Sequence, residues 1–329
     1  MRFVIYGPGA VGGTIGGRLF EHDHEVAFIG RGPHAAAIAA TGLELRTPRG
    51  TLRAAIPVME HPAQLKFRSD DVVVLTMKTQ DTEAAVADLA AVSEPDLSII
   101  CAQNGVENER LALRRFANVY AMCVMLPAVH IEPGVVIAYG DPLSGILDVG
   151  CYPQGVDDLS VQVAAHLASA GFSSRPDPSV MPKKYAKLLL SLGNALEAAC
   201  GSSAQGSELE LRAREEALAC YLAAGIDAAL AEDDAQRRDL LHVVPVLGTE
   251  RDGGSSWQSL ARGVGTIEAD YLNGEISLLG RLHGVPTPTN TLLQRTANRM
   301  ARERAEAGSL TVEELIAELN RATGGKYVA

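Results

Sequence analysis

The segment that most constrains the fold is a glycine-rich turn near the N-terminus. It directly follows the apolar run Phe3–Tyr6 and opens the helical pattern Ala10–Glu21. Glycine at such positions allows a tight turn, a close approach of backbone to pyrophosphate, and close packing of helix on strand. A helix N-terminus also offers N–H donors and a positive dipole end to phosphates. An ordinary glycine-rich turn is the alternative, but the flanking strand and helix favour a dinucleotide site formed by Gly7, Pro8, Gly9, Ala10, Val11 and Gly12.

Short apolar runs alternate with helical patterns through the first 175 residues. This alternation predicts right-handed crossovers and a parallel, doubly wound sheet. The predicted strands are Phe3–Tyr6, Glu25–Ile29, Val72–Thr76, Leu97–Cys101, Val135–Tyr139 and Ile146–Val149. The predicted helices are Ala10–Glu21, Pro33–Ala40, Thr82–Val92 and Gly155–Ala170.

The pattern changes after a stretch that contains three prolines, residues 173–184. Beyond it the chain has long helical patterns and almost no strand signal, with predicted helices at Lys184–Ala199, Ser207–Leu230, Gln258–His283 and Pro288–Glu306. At 329 residues the chain also exceeds the ~250–300 residues at which single cores stop growing. We therefore predict an N-terminal Rossmann-type α/β domain at residues 1–176 and an all-helical domain at residues 177–329.

The amino-acid composition limits the classes of partner that we expect the protein to bind and the compartment in which we expect it. The net charge of −11 argues against a general nucleic-acid binder, since such binding is built from Lys and Arg. No secretory signal opens the chain, and no apolar run approaches the ~20 residues that span a bilayer. Five cysteines without CxxC spacing are typical of reduced thiols, and no His cluster accompanies them as metal ligands. We expect a cytoplasmic protein without nucleic-acid, membrane or metal partners.

The end of the second predicted strand bears on which dinucleotide is bound. NAD sites place Asp or Glu there to bind the ribose 2′-OH, whereas this strand is followed by Gly30 and Arg31. A cation at this position suits a 2′-phosphate, so NADPH is favoured over the alternative of a plain surface Arg. Lys78 and Asn104 also follow predicted strands, where ligands bind in doubly wound sheets, although either could be an ordinary loop residue.

Three polar residues interrupt an otherwise apolar helical pattern at the start of the second domain. Lys187, Ser191 and Asn194 have the spacing i, i+4, i+7 and are predicted to share one face. The surrounding apolar residues predict a buried helix. Burial would lower the pKa of Lys187 and make it a proton donor near neutral pH, whereas a lysine near the helix start could instead extend to solvent.

A second polar group lies further along, at Ser255, Ser256 and Glu268. The serines follow two glycines and have a helix N-cap as their structural alternative. Glu268 opens a predicted helical turn, where a favourable first-turn charge is its alternative. His130 and His283 have no partner spacing that supports acid–base work, so we expect structural roles for them.

Taken in order, these motifs resemble the ketopantoate reductase (2-dehydropantoate 2-reductase) family. The resemblance spans essentially the whole chain and is carried by the glycine-rich turn, Arg31, and the sequences TMK at 76–78, QNG at 103–105, KYAKLL at 184–189, IEADYLNGE and HGVPTPTN. No single motif is decisive, but their order and spacing are specific.

The resemblance implies NADPH-dependent reduction of a 2-keto acid, in the family case ketopantoate to pantoate for pantothenate and coenzyme A synthesis. It implies that Lys187 donates the proton and that Glu268 is the active-site acid. It further implies that Asn104 lies beside nicotinamide and substrate, that Ser256, or its neighbour Ser255, binds the substrate carboxylate, and that Arg31 and Lys78 contact the cofactor phosphates.

The chain departs from the family where the substrate is held. The family usually has Asn one turn after the lysine, and this chain has Ser191; Asn194 is one residue short of a second family asparagine. The substrate is therefore less defined than the reaction. Two alternatives stay open: an NADPH reductase of a different 2-oxo acid, and a non-catalytic NADP(H) sensor. The long C-terminal helices could support a homodimer.

Overall fold

The computed structural model describes residues 1–228, 237, 239–249 and 253–325. It separates into two compact units. The first comprises Met1–Lys184 and Leu230–Arg251, and the second comprises Tyr185–Ala229 and Asp252–Ala329. The predicted fold class, a Rossmann-type α/β region with a helical C-terminal region, is confirmed.

A seven-stranded sheet forms the centre of the first unit. The described strands are β1 (Arg2–Tyr6), β2 (Glu25–Ile29), β3 (Leu43–Thr47), β4 (Gly50–Ala54), β5 (Val58–Met59), β6 (Asp71–Leu75), β7 (Ser98–Cys101), β8 (Val119–Met125), β9 (Ala128–Val129), β10 (Val135–Ala138), β11 (Gly140–Pro142), β12 (Ile146–Cys151) and β13 (Leu241–Val243). The sheet order is β5–β2–β1–β6–β7–β8–β12; all neighbours are parallel except β12, which runs antiparallel to β8. Smaller sheets are formed by β4–β3–β10–β9 and by β11–β13.

Both faces of the large sheet are buried. Successive side chains of a strand point to opposite faces, and on β1 Phe3 and Ile5 pack in one apolar core while Val4 packs in another. Helices must therefore cover both faces, as in doubly wound folds. The helices of this region are α1 (Ala10–Glu21), α2 (Gly32–Thr41), α3 (Thr82–Ala90), α4 (Asn108–Leu113) and α5 (Asp158–Ser169).

The division between the units lies further along the chain than the predicted boundary at residues 176 and 177. The proline-containing stretch runs beside β12, where Leu147 N–H donates to the Ser173 carbonyl at 2.8 Å and Val149 N–H donates to the Arg175 carbonyl at 3.1 Å. Proline lacks an N–H but is tolerated in an extended edge segment. This stretch therefore stays with the first unit, and the division follows Lys184.

The second unit is helical, as predicted, but its helices are shorter than the sequence indicates. They are α6 (Val180–Ser191), in which the division lies, then α7 (Asn194–Cys200), α8 (Glu208–Ala224), α9 (Ser255–Ala261), α10 (Asn273–His283), α11 (Pro288–Glu303) and α12 (Val312–Thr323). Residues 229 and 230, the end of the predicted helix Ser207–Leu230, lie outside the described residues. None of the described helices combines the length and apolar character needed to cross a membrane.

Two predicted continuous helices are wrong because each is interrupted. The predicted helix Lys184–Ala199 breaks at Leu192 and Gly193, between α6 and α7. The predicted helix Gln258–His283 is divided into α9, a 3₁₀ turn at Glu268–Tyr271, and α10. In the second case Gly263 and Gly265 adopt φ values of +61° and +79°, which end a right-handed helix.

Candidate functional site

The glycine-rich turn has the backbone geometry of a strand-to-helix phosphate loop. Gly7 takes a φ of +95°, and its N–H donates to the Ile29 carbonyl at 2.9 Å, which ties the turn to β2. Gly9 is the N-cap of α1, and Gly13 N–H donates to the Gly9 carbonyl at 2.7 Å. No acidic residue lies in the first turn of α1. The helix therefore begins with N–H donors that suit an anion.

The three glycines of the turn differ in the space around them. A Cβ at Gly12 would lie 2.6 Å from the Gly7 carbonyl oxygen and closer still to the Thr76 hydroxyl. A Cβ at Gly7 would lie 2.8 Å from the Met77 nitrogen. At Gly9, however, a Cβ would meet nothing within 4 Å. Gly7 and Gly12 are thus required by packing, whereas Gly9 opens onto space that a pyrophosphate can enter.

The side chain of His34 supports the glycine-rich turn through hydrogen bonds. Gly134 N–H donates to Nδ1 of His34 at 2.9 Å, so the proton of the neutral ring is on Nε2, which donates to the Pro8 carbonyl at 2.7 Å. The ring of His130 lies over His34 with centroids 3.7 Å apart. Sequence reasoning missed His34, since no pattern pairs it with Pro8; the structural role expected for His130 is consistent with this stacking.

Arg31 lies at the carboxyl end of β2, where the sequence predicts a 2′-phosphate contact. It is the N-cap residue of α2, and its side chain is 83% exposed. The nearest carboxylate is that of Asp81, 3.9 Å from its guanidinium. Such a loose, exposed pair contributes little, so the guanidinium remains accessible to a phosphate.

Lys78 and Asn104 follow β6 and β7, and a buried hydrogen-bond network joins their loops. Gln103 Nε2 donates to the Thr82 hydroxyl at 2.7 Å, and that hydroxyl donates to Asn108 Oδ1 at 2.8 Å. Asn108 Nδ2 in turn donates to the Asn104 carbonyl at 3.1 Å. These side-chain hydrogen bonds tie the loop after β7 to the start of α3, which follows the loop after β6.

The loops after β1, β2, β6 and β7 therefore form one edge of the sheet, which we call the carboxyl-end edge. Besides the network above, the Thr76 hydroxyl donates to the Gly7 carbonyl at 2.7 Å and connects the loop after β6 to the glycine-rich turn. The structure thus brings Gly7–Gly12, Arg31, Lys78 and Asn104 to the same edge. Ligands of doubly wound sheets bind at this edge.

The lysine buried on α6 is not the one that the sequence indicates. Lys184, only 3% exposed, pairs with the fully buried carboxylate of Glu109. Burial, with Glu109 close by, raises the pKa of the Cys101 thiol well above its usual range, so this cysteine is not a nucleophile. Lys187, predicted to be buried, is only half-buried, and Leu190 next to Ser191 is 43% exposed. The prediction of a helix buried all round is therefore wrong at these two positions.

Lys187 lies on a stretch of α6 whose backbone is held at both ends. The Tyr221 hydroxyl of α8 donates to the Tyr185 carbonyl at 3.1 Å, and burial raises the pKa of Tyr221, so the hydroxyl keeps its proton. Beyond the last residue of the helix, Asn273 Nδ2 donates to the Leu192 carbonyl at 3.1 Å. The Ser191 hydroxyl is buried and donates back to the Lys187 carbonyl at 3.3 Å, which confirms that these two residues share a face.

Asn194 begins a new helix, so the predicted three-residue stripe is interrupted. A Cβ at Gly254 would lie 3.6 Å from Asn194 Oδ1, which places Asn194 near the start of α9. Glu197 Oε2 accepts from Gly254 N–H at 2.9 Å and holds that start in place. The Asn194 side chain therefore lies close to Gly254, the residue that precedes the serine pair.

The serine pair does not cap its helix. Gly254 is the N-cap of α9, and both serines lie in the first turn. Ser256 is 2% exposed, and the Ser255 hydroxyl oxygen is buried without a hydrogen-bond partner among the described residues. The N-cap alternative is therefore wrong for both serines.

Glu268 is buried in the 3₁₀ turn that precedes α10. It is 2% exposed, as is unusual for a carboxylate that only complements a helix dipole at the surface. Five residues later, the fully buried Asn273 begins α10 and donates to Asn290 Oδ1 at 3.0 Å as well as to Leu192. Sequence reasoning missed Asn273, although it lies within a motif that carried the family resemblance.

The structure therefore places the predicted residues in two groups, one in each unit. The first unit holds the glycine-rich turn, Arg31, Lys78 and Asn104; the second holds Lys187, Ser191, Asn194, Ser256 and Glu268. His283 lies exposed in the last turn of α10. Within the described ranges, no three His, Cys, Asp or Glu side chains are grouped in a way that could hold a metal ion.

Comparison with known proteins matches the chain in both units. The family model described as ketopantoate reductase PanE/ApbA matches residues 3–154, and its C-terminal counterpart matches residues 180–301. The 2-dehydropantoate 2-reductase of Pyrococcus horikoshii is 28% identical over 301 residues, which are 89% of this chain and 95% of that protein. The enzyme of the same name from Caulobacter vibrioides is 28% identical over 306 residues, covering 90% and 98%.

Solved structures agree with this match. A PanE/ApbA family ketopantoate reductase from Ralstonia eutropha superposes with a TM-score of 0.77 at 29% identity, covering 92% of this chain and 99% of that one. A D-mandelate dehydrogenase bound to NADH and anilino(oxo)acetate has the same TM-score at 22% identity, covering 93% and 100%, and shares the fold. The two family models together cover most of the chain, which therefore belongs to the ketopantoate reductase (PanE/ApbA) family of oxidoreductases.

Proposed function

We propose that this protein uses NADPH to reduce a 2-keto acid to a 2-hydroxy acid, with ketopantoate as the substrate and pantoate as the product. One observation carries the proposal: the chain matches the family in both units, and each matched unit holds its own group of predicted site residues. The first unit would bind the cofactor, and the second would supply the acid and the substrate-binding hydroxyl.

The residues of the first unit fit a dinucleotide. Gly9 leaves open space beside an N-terminus of α1 that offers N–H donors, as a pyrophosphate requires. The exposed guanidinium of Arg31 supports a 2′-phosphate, and neither residue that directly follows β2, Gly30 or Arg31, is a carboxylate that could bind a ribose 2′-OH. Lys78 would add a second cation near the cofactor phosphates. These features favour NADPH over NADH.

The residues of the second unit fit acid–base work on a keto acid. NADPH supplies the hydride when it is bound. Lys187 would donate a proton to the carbonyl oxygen, and the half-buried position of its side chain allows exchange with solvent after each turnover. The Ser256 hydroxyl would donate to the substrate carboxylate. Glu268 would orient the product hydroxyl or hold Lys187, and the Asn104 amide would order nicotinamide and substrate.

A panel of 2-keto acids tests this proposal. The purified chain is mixed with NADPH or NADH and with ketopantoate, pyruvate or phenylglyoxylate, and the loss of reduced cofactor is followed by absorbance. We expect turnover with ketopantoate and a higher kcat/KM for NADPH than for NADH. Tight NADPH binding without oxidation by any keto acid would instead support an NADP(H) sensor.

A second candidate substrate class is favoured by Ser191. Its side chain is shorter than the family asparagine, and its hydroxyl is already used by the Lys187 carbonyl. The site would therefore have more space and lack one amide, which suits a 2-oxo acid with a bulkier side chain. The D-mandelate dehydrogenase with the same fold binds anilino(oxo)acetate, which carries an aromatic group.

Ser191→Asn distinguishes the two substrate classes. If Ser191 sets the preference, the variant raises kcat/KM for ketopantoate relative to phenylglyoxylate by about 10-fold, the usual effect of one added hydrogen bond to substrate. An unchanged ratio in an active variant would show that residue 191 does not select the substrate.

A further inference from the structure

A buried polar ladder runs through the second unit and ends on the helix that carries Lys187. Glu216 Oε2 accepts from Asn290 Nδ2 at 2.8 Å, and Asn290 Oδ1 accepts from Asn273 Nδ2 at 3.0 Å. The same Asn273 nitrogen donates to the Leu192 carbonyl at 3.1 Å. Asn273 and Asn290 are both fully buried.

The end of the ladder lies at the break between α6 and α7. Leu192 follows the last residue of α6, and Gly193 is the N-cap of α7. A Cβ at Gly193 would lie 3.0 Å from the Glu210 side chain, so α8 closes the other side of the break. The Leu192 carbonyl is buried among these elements and needs a donor. Asn273 provides that donor.

The other end of Asn273 connects to the second group of site residues. Asn273 is the first residue of α10, immediately after the turn that contains Glu268. Its amide therefore joins the end of the Lys187 helix to the start of the helix that follows Glu268. The ladder is itself fixed, because Glu216 also accepts from the Thr289 and Asn290 N–H groups at 2.8 and 2.9 Å at the N-terminus of α11.

We propose that Asn273 is a positioning residue that sets the placement of Lys187 relative to Glu268, and that Asn290 and Glu216 hold it in that role. The inference rests on the proposed reductase function. It assigns no direct contact between Asn273 and substrate. A shift of about 1 Å at a catalytic group can cost roughly 100-fold in rate, so a fixed carbonyl at the end of α6 has a direct effect on turnover.

The test is a double-mutant cycle on the full chain, with Asn273→Ala, Lys187→Ala and the combined variant. The matched control is Ser277→Ala, which removes another hydrogen bond between α10 and α11, that of the buried Ser277 hydroxyl with Thr291 at 3.1 Å, and leaves the Asn273 bond to the Leu192 carbonyl in place. Asn273→Asp keeps the shape of the side chain and replaces Asn273→Ala if the latter does not fold. The readouts are kcat with ketopantoate and the Kd for NADPH.

We expect Asn273→Ala to lower kcat by about 10- to 100-fold, to leave the Kd for NADPH unchanged, and to have no further effect when Lys187 is already Ala. Ser277→Ala should keep the wild-type kcat. The inference is overturned if Asn273→Ala loses no more activity than Ser277→Ala, or if its loss persists in the Lys187→Ala background. A wild-type chain that reduces no 2-keto acid would instead overturn the proposed function on which the inference depends.

Discussion

The two units hold their candidate residues by different means. In the first unit the residues follow parallel strands, and backbone contacts such as Gly7 N–H to the Ile29 carbonyl fix the loops. In the second unit the residues lie on short helices whose ends are set by distant side chains, such as Asn273 at Leu192 and Glu197 at Gly254. The order of the strands thus determines where the residues of the first group lie, and the ends of the short helices determine where the residues of the second group lie.

The difference is clearest for two lysines one turn apart on α6. Lys184 is buried and paired with Glu109 in the first unit, whereas Lys187 is half-buried in the second. A buried, paired lysine contributes to stability and has little freedom to exchange protons. A partly exposed lysine can be reprotonated by water. The pair therefore predicts that one lysine serves folding and the other serves the reaction.

Lys187→Ala should give the largest effect on the reaction. Loss of a general acid typically lowers kcat by about 10²- to 10⁴-fold, and the Kd for NADPH should stay the same because Lys187 is outside the first unit. The measurement is kcat for ketopantoate at saturating NADPH, and Lys66→Ala is the control for loss of a lysine at an exposed position. Equal activity in the two variants would remove Lys187 from the mechanism.

Lys184→Met, unlike Lys187→Ala, should have its main effect on stability and cause a large loss of it. Removing one partner of a buried ion pair leaves an uncompensated charge and costs about 3–5 kcal/mol, here the carboxylate of Glu109. Denaturant unfolding measures this loss, and the double variant Lys184→Met/Glu109→Leu should recover most of it. The contrast with Lys187 fails if Lys184→Met keeps wild-type stability but loses kcat.

Arg31→Ala should change KM for NADPH much more than KM for NADH. Losing a charge-assisted hydrogen bond to the 2′-phosphate should raise KM for NADPH by roughly 10- to 100-fold and leave KM for NADH nearly unchanged. Arg49→Ala is the matched control, since Arg49 is also an exposed arginine beside a carboxylate, that of Asp141. The 2′-phosphate assignment is wrong if Arg31→Ala shifts both cofactors equally.

The glycine-rich turn should show the smallest effects, and they should differ by position. Gly12→Ala forces a Cβ against the Gly7 carbonyl and should destabilise the fold by about 1–3 kcal/mol. Gly9→Ala meets open space and should preserve the melting temperature while weakening NADPH binding several-fold. Thermal unfolding and NADPH titration measure the two effects. Similar melting temperatures for both variants would contradict the packing assigned to Gly12.

The sequence predicts the elements around the glycine-rich turn more completely than the helices of the second unit, for a physical reason. The glycine-rich turn, the strand ends and α1 (Ala10–Glu21) depend on local patterns, and their positions are confirmed. The Leu192 carbonyl at the break accepts from Asn273, which lies far along the chain, and no local pattern contains that contact. Periodicity alone therefore predicts one long helix.

The burial of the side chains on α6 also cannot be predicted from the local sequence. The apolar residues around Lys187 predict a buried helix, but burial depends on how many sides of α6 are covered. The partner of Lys184 is Glu109, which lies on α4 and has no sequence signature that pairs it with α6. The residues that carried the family resemblance were found from their order and spacing, whereas the residues that hold them, such as His34 and Asn108, emerge only in three dimensions.

The central claim is that this chain transfers a hydride from NADPH to the keto carbon of a 2-keto acid. The most direct measurement is the isotopic composition of the product formed from ketopantoate and NADPH deuterated at both C4 positions. The account predicts a 2-hydroxy acid that carries deuterium at C2. It is contradicted by a product without deuterium at C2, or by the absence of any product while NADPH is bound.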